Sequence, residues 1–392
     1  MRLAKSVSFI ALALAMQAMP AAAQAPAEAA SPAFDISFTY TADGVAVIDG
    51  GIDHRLRYLD NIDVIADADL GRLVGWQGAE FHVHVLNNLG RRPNDGAGTL
   101  QGINNIEVSK ARLKLYEAWI DQAIGDRVKL LVGLHDLNSE FYATDSSGLL
   151  IAPPFGIGSE FSSTGPNGPS IFPSTSLAVR LAVKVGNSGY LRVAAFNAHA
   201  GTLGDDGGID VSFHDGLLLV AEAGIEKKGK FAIGGWRYTR RQDDIRERDL
   251  SGDPLRHFSQ GAYVLAEYPL IAHEGGKHVT AFVRAGISEG RTGMFKGSWQ
   301  AGFLAEGIMP GRPESQLSFG VAQGDLSGGF RHNQIDSGVS ASSGEIGLEL
   351  TYSDRLTRFL ILQPDLQLVH NPGGDRTAAN MVAAGIRATV EF

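Results

Sequence analysis

The 392-residue sequence has no cysteine, so neither a disulfide framework nor a thiolate metal site is open to it. Beyond the amino terminus no apolar run reaches the roughly 20 residues of a membrane-spanning helix, because charged residues or glycines interrupt each one. A helical membrane protein is thereby excluded. Nucleophile motifs, a P-loop and a dinucleotide fingerprint are missing too. Positive charge is in short supply: 34 Lys and Arg face 43 Asp and Glu, and the net charge of −9 argues against nucleic acid as a partner. No cofactor and no metal are expected.

Glycine, by contrast, is abundant, and 49 of them suit a β-rich chain with many turns. The amino terminus reads as a secretory signal over residues 1–23. Arg2 and Lys5 form its charged region, 7–16 its short apolar core, and Ala21, Ala22 and Ala23 its cleavage site. An uncleaved anchor is the alternative, but the apolar core is too short to span a bilayer. A Pro- and Ala-rich periplasmic linker follows at 24–33, and a single domain occupies 34–392.

The last segment, 382–392, alternates without error. Val382, Ala384, Ile386, Ala388, Val390 and Phe392 share one face, while Ala383, Gly385, Arg387, Thr389 and Glu391 share the other. A soluble sandwich alternates in the same way. A final strand ending on an aromatic residue behind a secretory signal is instead the usual close of a bacterial outer-membrane barrel. Similar alternation predicts strands near 35–48, 54–69, 75–87, 112–121, 126–135, 176–184, 190–197, 216–225, 229–239, 259–268, 278–287, 298–307, 315–322, 344–352, 358–370 and 380–392. Connection lengths separate the two folds. Short links alternate with long ones at 88–111, 136–175, 197–215 and 240–258, the rhythm of periplasmic turns and external loops. The expectation is an all-β, transmembrane antiparallel β-barrel of about 16 strands, set in outer-membrane lipid and wide enough for an aqueous channel.

The third loop, 136–175, is long and carries Phe141, Tyr142, Phe155, Phe161 and Phe172. Disorder predicts few aromatics, so these need a surface to cover, and the lumen offers one. The loop is therefore expected to fold inward and narrow the pore through Phe155, Phe161 and Phe172. An external loop packed on its neighbours is the alternative.

Several blocks resemble the OprB family of carbohydrate-selective porins. The carboxy-terminal half carries Glu345, Glu349 and Tyr352, then Leu356, then Gln363, Pro364, Asp365, Leu366 and Gln367, then Asn371, Pro372, Gly373 and Gly374. Gly302, Gly307, Gly311, Arg312 and Pro313 are similar to its preceding turn. Asp67, Asp69 and Gly71 with Gly75, Trp76, Gln77 and Gly78 resemble an early hairpin, and Glu117, Ala118 and Trp119 a central strand. The resemblance implies a sixteen-stranded barrel that admits small carbohydrates by diffusion, and a homotrimeric assembly.

Selectivity in a pore comes from its diameter and its lining groups. Arg180, Arg192, Arg284, Arg387, Glu345, Glu349, Gln363, Asp365 and Gln367 fall on the polar face and match sugar hydroxyls. A solvated wall that merely holds the barrel open is the plainer reading of the same residues. Leu113 and Leu115 would place Glu117 outward unless a bulge intervenes, but a lipid-facing carboxylate is costly, so inward is expected. His82 and His84 share a face with Glu80; no third ligand is identifiable, so lumen lining is expected rather than zinc. The acidic pairs Asp205–Asp206 and Asp243–Asp244 read as solvated loops rather than calcium sites. Tyr58, Trp76, Tyr190, Tyr268, Tyr352 and Phe392 are candidates for interfacial girdles. The alternatives to a sugar channel are a general ion- and solute-conducting porin, an enzymatic barrel and a non-conducting structural barrel.

Overall fold

The computed structural model describes residues 32–272 and 277–392; the expected signal peptide and linker residues 24–31 lie outside the described residues. The first eight strands are β1 (Phe34–Asp49), β2 (Arg57–Asp69), β3 (Ala79–Gly90), β4 (Leu113–Ile124), β5 (Val128–His135), β6 (Ser176–Val185), β7 (Gly189–Asn197) and β8 (Leu217–Glu226). The second eight are β9 (Lys230–Arg248), β10 (Pro254–Ala272), β11 (His278–Ser288), β12 (Phe295–Glu306), β13 (Gln316–Leu326), β14 (Gly344–Arg355), β15 (Leu360–His370) and β16 (Met381–Glu391). Each strand pairs antiparallel with its sequence neighbours, and β1 pairs with β16. The sheet is a closed barrel, which leaves no edge unpaired. At the seam, Phe38 and Phe392 exchange backbone hydrogen bonds of 3.3 and 3.0 Å. The Phe392 ring lies 6.0 Å from that of Phe38 and 5.3 Å from that of Phe359.

Alternation sets the two faces. Val132, Val179, Ile233, Val283 and Leu350 are exposed on the outside, where lipid would cover them. Asp60 is an exception on this face, and its cost is reduced by the hydroxyls of Tyr58 (2.7 Å) and Tyr40 (3.2 Å), which donate to its carboxylate. Links at one end of the barrel are short, at 125–127, 186–188, 227–229 and 356–359. Those at the other end include 91–112, 136–175, 198–216 and 327–343. Short helices punctuate the links: α1 (Leu70–Val74), α2 (Asn94–Ala97), α3 (Ser159–Ser162) and α4 (Gly328–Asp336). The Asp69 side chain caps α1 by accepting from the Arg72 N–H, and Gly75 ends it at φ 81°, a left-handed conformation that glycine adopts freely.

Three expectations are corrected here. The segment 240–258 is not a loop: β9 and β10 run on past the wall and only 249–253 turn. Beyond the membrane neither face need be apolar, so the extended hairpin has no hydrophobic alternation to read. Arg246 fastens it to α4 through Asp336 and Asn333, at 2.7 and 2.8 Å. Tyr190 belongs to no girdle, because it points inward and donates to Glu222 at 2.9 Å. The inner wall, moreover, is not uniformly polar. Phe196, Leu218, Val220, Ala232, Trp236, Tyr238, Tyr263 and Leu265 form a buried apolar cluster on β7 to β10, inside the barrel.

Candidate functional site: two infolded loops and the barrel wall

That apolar inner wall is covered by the third loop. Leu137, Phe141, Tyr142, Ile157 and Phe161 of 136–175 complete its cluster. Phe161 stacks on Trp236 at 4.7 Å and Tyr142 on Tyr263 at 3.9 Å. Phe155 meets Phe282 edge-on at 6.4 Å, in a second cluster that includes Leu150. Wall glycines make the approach close. A Cβ at Gly286 would meet the Tyr142 hydroxyl at 2.6 Å, and one at Gly320 the Phe155 ring at 2.5 Å. The loop does fold inward, and burial of its aromatics is the force that holds it there. The same packing has a consequence for Phe155 and Phe161, which are 2% and 0% exposed and cannot stack on a passing sugar. Phe172 is half-buried against Tyr116, 6.2 Å away.

Polar wall residues then fasten the loop's backbone. Arg284, 0% exposed, donates to the carbonyls of Tyr142, Pro154 and Gly156 at 3.1, 3.0 and 2.8 Å. Glu349 accepts from the N–H groups of Ile151 and Ala152. Gln363 donates to the Leu149 carbonyl at 2.7 Å, Lys230 to that of Ala143 at 2.8 Å and Arg192 to that of Glu140 at 2.9 Å. Glu222 accepts from Tyr142 N–H at 2.9 Å, and Glu267 from Ser146 N–H at 2.6 Å. Within the loop, Glu160 is completely buried and accepts from Ser298 of the wall and from Tyr142. Burial pushes the Glu160 carboxyl above its ordinary range.

A second loop folds in as well, which the sequence reading missed. In 91–112, the N–H groups of Leu100 and Gln101 donate to Glu345, whose carboxylate also receives Gly373 N–H at 2.9 Å. Gln367 donates to the Ile103 carbonyl at 2.9 Å and to Asp365 at 2.8 Å. Arg387 bridges Asp43 of β1, at 2.7 Å, to Asn105 at 2.8 Å. The two loops touch where Ser159 donates to Gln101 at 2.8 Å. Ile103 and Ile106, bulky apolar residues in a link rich in polar ones, were the available signal; both are buried.

The wall from β2 to β6 is different. A bulge at Tyr116, where the register shifts between His84 and Val85, turns Glu117 and Trp119 inward. Glu117 accepts from Asp136 N–H at 3.0 Å, lies 3.1 Å from His135 and sits 3.8 and 4.0 Å from His82 and His84. His82 pairs with Asp67 at 2.7 Å and His84 with Asp63 at 2.8 Å, so both histidines are committed to carboxylates. Arg180 reaches Asp121 at 3.2 Å and Glu140 at 2.8 Å. Burial would raise the Glu140 carboxyl, but the charges of His135, Arg180 and Arg192 outweigh it and hold Glu140 below the usual carboxylate range. Towards the short-turn end this wall is wet: the side chains of Asp67, Glu80 and Lys129 are 52%, 62% and 45% exposed. Asp205 and Asp206 serve as ion-pair partners, to Lys114 at 2.7 Å and Lys110 at 2.8 Å.

The profile described as carbohydrate-selective porin, OprB family, matches residues 53–392. The chain belongs to the OprB family of carbohydrate-selective porins. Porin B of Pseudomonas aeruginosa is 22% identical, over 92% of this chain and 87% of that protein. The putative porin QuiX of Acinetobacter baylyi is 19% identical, over 88% and 86%. Among solved structures, Pseudomonas putida OprB at high pH superposes with a TM-score of 0.81 at 22% identity, covering 92% of this chain and 94% of that one. OprB membership and the sixteen-stranded barrel together place this chain in the bacterial outer membrane, as a channel fold rather than an enzyme fold.

Proposed function

We propose that the chain lets small carbohydrates diffuse passively into the periplasm and prefers them to other solutes of equal size. The carrying observation is the pair of loops fastened inside the lumen of an OprB-family barrel. A sixteen-stranded wall alone encloses a wide channel that could not discriminate small molecules. Two infolded loops narrow it to the side bounded by β2 to β6. There, groups of both signs stand close together: Asp67, Glu80 and Lys129 at the wet end, Glu140 and Arg192 deeper in, with the buried Arg180 holding Glu140 in place. Paired donors and acceptors suit a polyol, whose hydroxyls need both, and give a neutral balance that favours neither ion sign. Arg284, Arg387, Glu345, Glu349, Gln363, Asp365 and Gln367 act on the solute indirectly in this reading, by fixing the shape of the passage. A catalytic role is not part of it.

Liposome swelling tests the reading directly. Sugars should enter faster than amino acids of similar size. No swelling with any solute removes the channel, and equal rates at equal size leave a general porin.

A further inference from the structure

The face of β9 and β10 that meets the membrane changes character toward the long-loop end. On β9 the residues opposite the buried Trp236 and Tyr238 point outward, and they run from Phe231 and Ile233 to Arg237, Thr239 and Arg241, all exposed. On β10 the outward set runs from Tyr268, Val264 and Ala262 to Gln260, Phe258 and Arg256. Extra β9 residues lie between the pairs Arg237–Gln260 and Arg241–Phe258, yet the parity keeps both arginines on Phe258's side. Their guanidinium groups share that one ring, at 4.2 Å for Arg237 and 5.2 Å for Arg241. Arg256 donates to the Arg241 carbonyl at 2.7 Å and pairs with Asp243 at 3.1 Å.

The charge here is unbalanced. Neither Arg237 nor Arg241 has a carboxylate partner among the described residues, although the chain as a whole is acidic. Two inward arginines of the barrel do find carboxylates: Arg180 has Asp121, and Arg387 has Asp43. Two like charges on one ring repel each other, and no ion pair among the described residues offsets them. Their height on the wall supplies the explanation. They begin where the exposed apolar side chains end, which is where lipid headgroups begin. A guanidinium there directs its donors to the headgroup layer, and its planar fork matches a phosphate in bidentate fashion. The shared phenylalanine holds both forks at a fixed spacing with their N–H edges free.

We propose that Arg237, Arg241 and Arg256 form an outward-facing site for the phosphate groups of a phosphorylated lipid headgroup in the outer leaflet. The site is separate from the passage, so it fastens the barrel to its membrane without touching the solute. The test uses the full chain folded in detergent, with diphosphoryl lipid A as the probe and retention read by native mass spectrometry. An Arg237→Gln/Arg241→Gln double variant should retain the probe at least about tenfold less well, the loss of two charge-assisted contacts. Its sugar swelling should be unchanged, which also separates failure here from failure of the channel reading. Phe258→Leu keeps both charges but not the ring, and should weaken retention by a smaller factor; it serves if the double variant does not fold. Equal retention by wild type and variants overturns the proposal. So does equal retention of a dephosphorylated lipid A, which would mean acyl contact only. Displacement of the lipid by millimolar inorganic phosphate would show a free-anion site instead. A change in oligomer size without a change in lipid retention would assign the patch to a second copy of the chain.

Discussion

Two stretches of the inner wall carry the same residue types and use them differently. From β7 to β16, buried Arg, Glu and Gln side chains answer backbone groups of the two loops, as Arg284 does for three carbonyls and Glu345 for three N–H groups. From β2 to β6, charged side chains mostly answer one another, as in His84–Asp63 and Arg180–Asp121. A side chain paired with backbone fixes a shape, because a buried peptide group left without its partner is expensive. A side chain paired with another side chain in water, as Lys129 is with Glu80 at 3.5 Å, can exchange that partner for a solute hydroxyl at small cost, which the buried Arg180–Asp121 pair cannot. Charge on a pore wall is therefore not by itself a sign of contact with the solute; what the charge is bonded to decides.

The widest separation of the two regions should come from shortening the third loop between Ser146 and Gly168. Single-channel conductance should rise several-fold, sugar discrimination should fall with it, and the barrel should lose heat resistance. Unchanged conductance would place the constriction elsewhere. Next in size is Arg284→Met, which leaves three buried carbonyls unanswered and should weaken loop anchoring by about 1–3 kcal/mol for each. Limited proteolysis reads it, as new cleavage within 136–175; a loop as resistant as the wild type's would show that the aromatic packing suffices alone.

A third expectation concerns acid. Glu140 has its folded pKa depressed, so its contribution is present above the unfolded value and lost as pH falls through the folded one. The Arg180–Glu140 contact should thus survive ordinary acidification, and ion selectivity, read as reversal potential, should stay flat down through the ordinary carboxylate range and change only below it. A transition well above the ordinary carboxylate range would overturn this assignment. The smallest stability effect should belong to Lys129→Gln on the wet wall. It should change stability by no more than about 1 kcal/mol, as surface ion pairs do, and still shift the reversal potential toward cations. A loss comparable to that of Arg284→Met would erase the distinction between the two regions.

The strands were legible because membrane imposes a strict period of two, and each expected strand has a counterpart, from β1 to β16. Where membrane stops, so does legibility: the charged continuation of β9 past Arg240 holds one apolar residue, Ile245, and no alternation. The bulge at Tyr116 was legible only as a cost, the cost of a lipid-facing Glu117. The inward course of the third loop could be read from its aromatics, since they demand cover. Their final positions could not, because Phe161 gives no local sign that Trp236, far along the chain, will stack on it. For the polar residues the sequence told the face but not the partner. Arg284 and Lys129 look alike in an alternating strand, and only the fold shows that one is sealed under a loop and the other left in water.

The third loop crosses from β6 to β14 and is tied on the way to β7, β8, β9, β10, β11, β12 and β15. A closed ring of strands resists stretching but flattens easily, as any thin hoop does. Ties from a central member to so many points of the circumference make it a spoked wheel. The element that restricts passage is also the one that keeps the cross-section round. Widening the aperture by loosening that member would soften the rim, so permeability and mechanical stiffness are bound to change together.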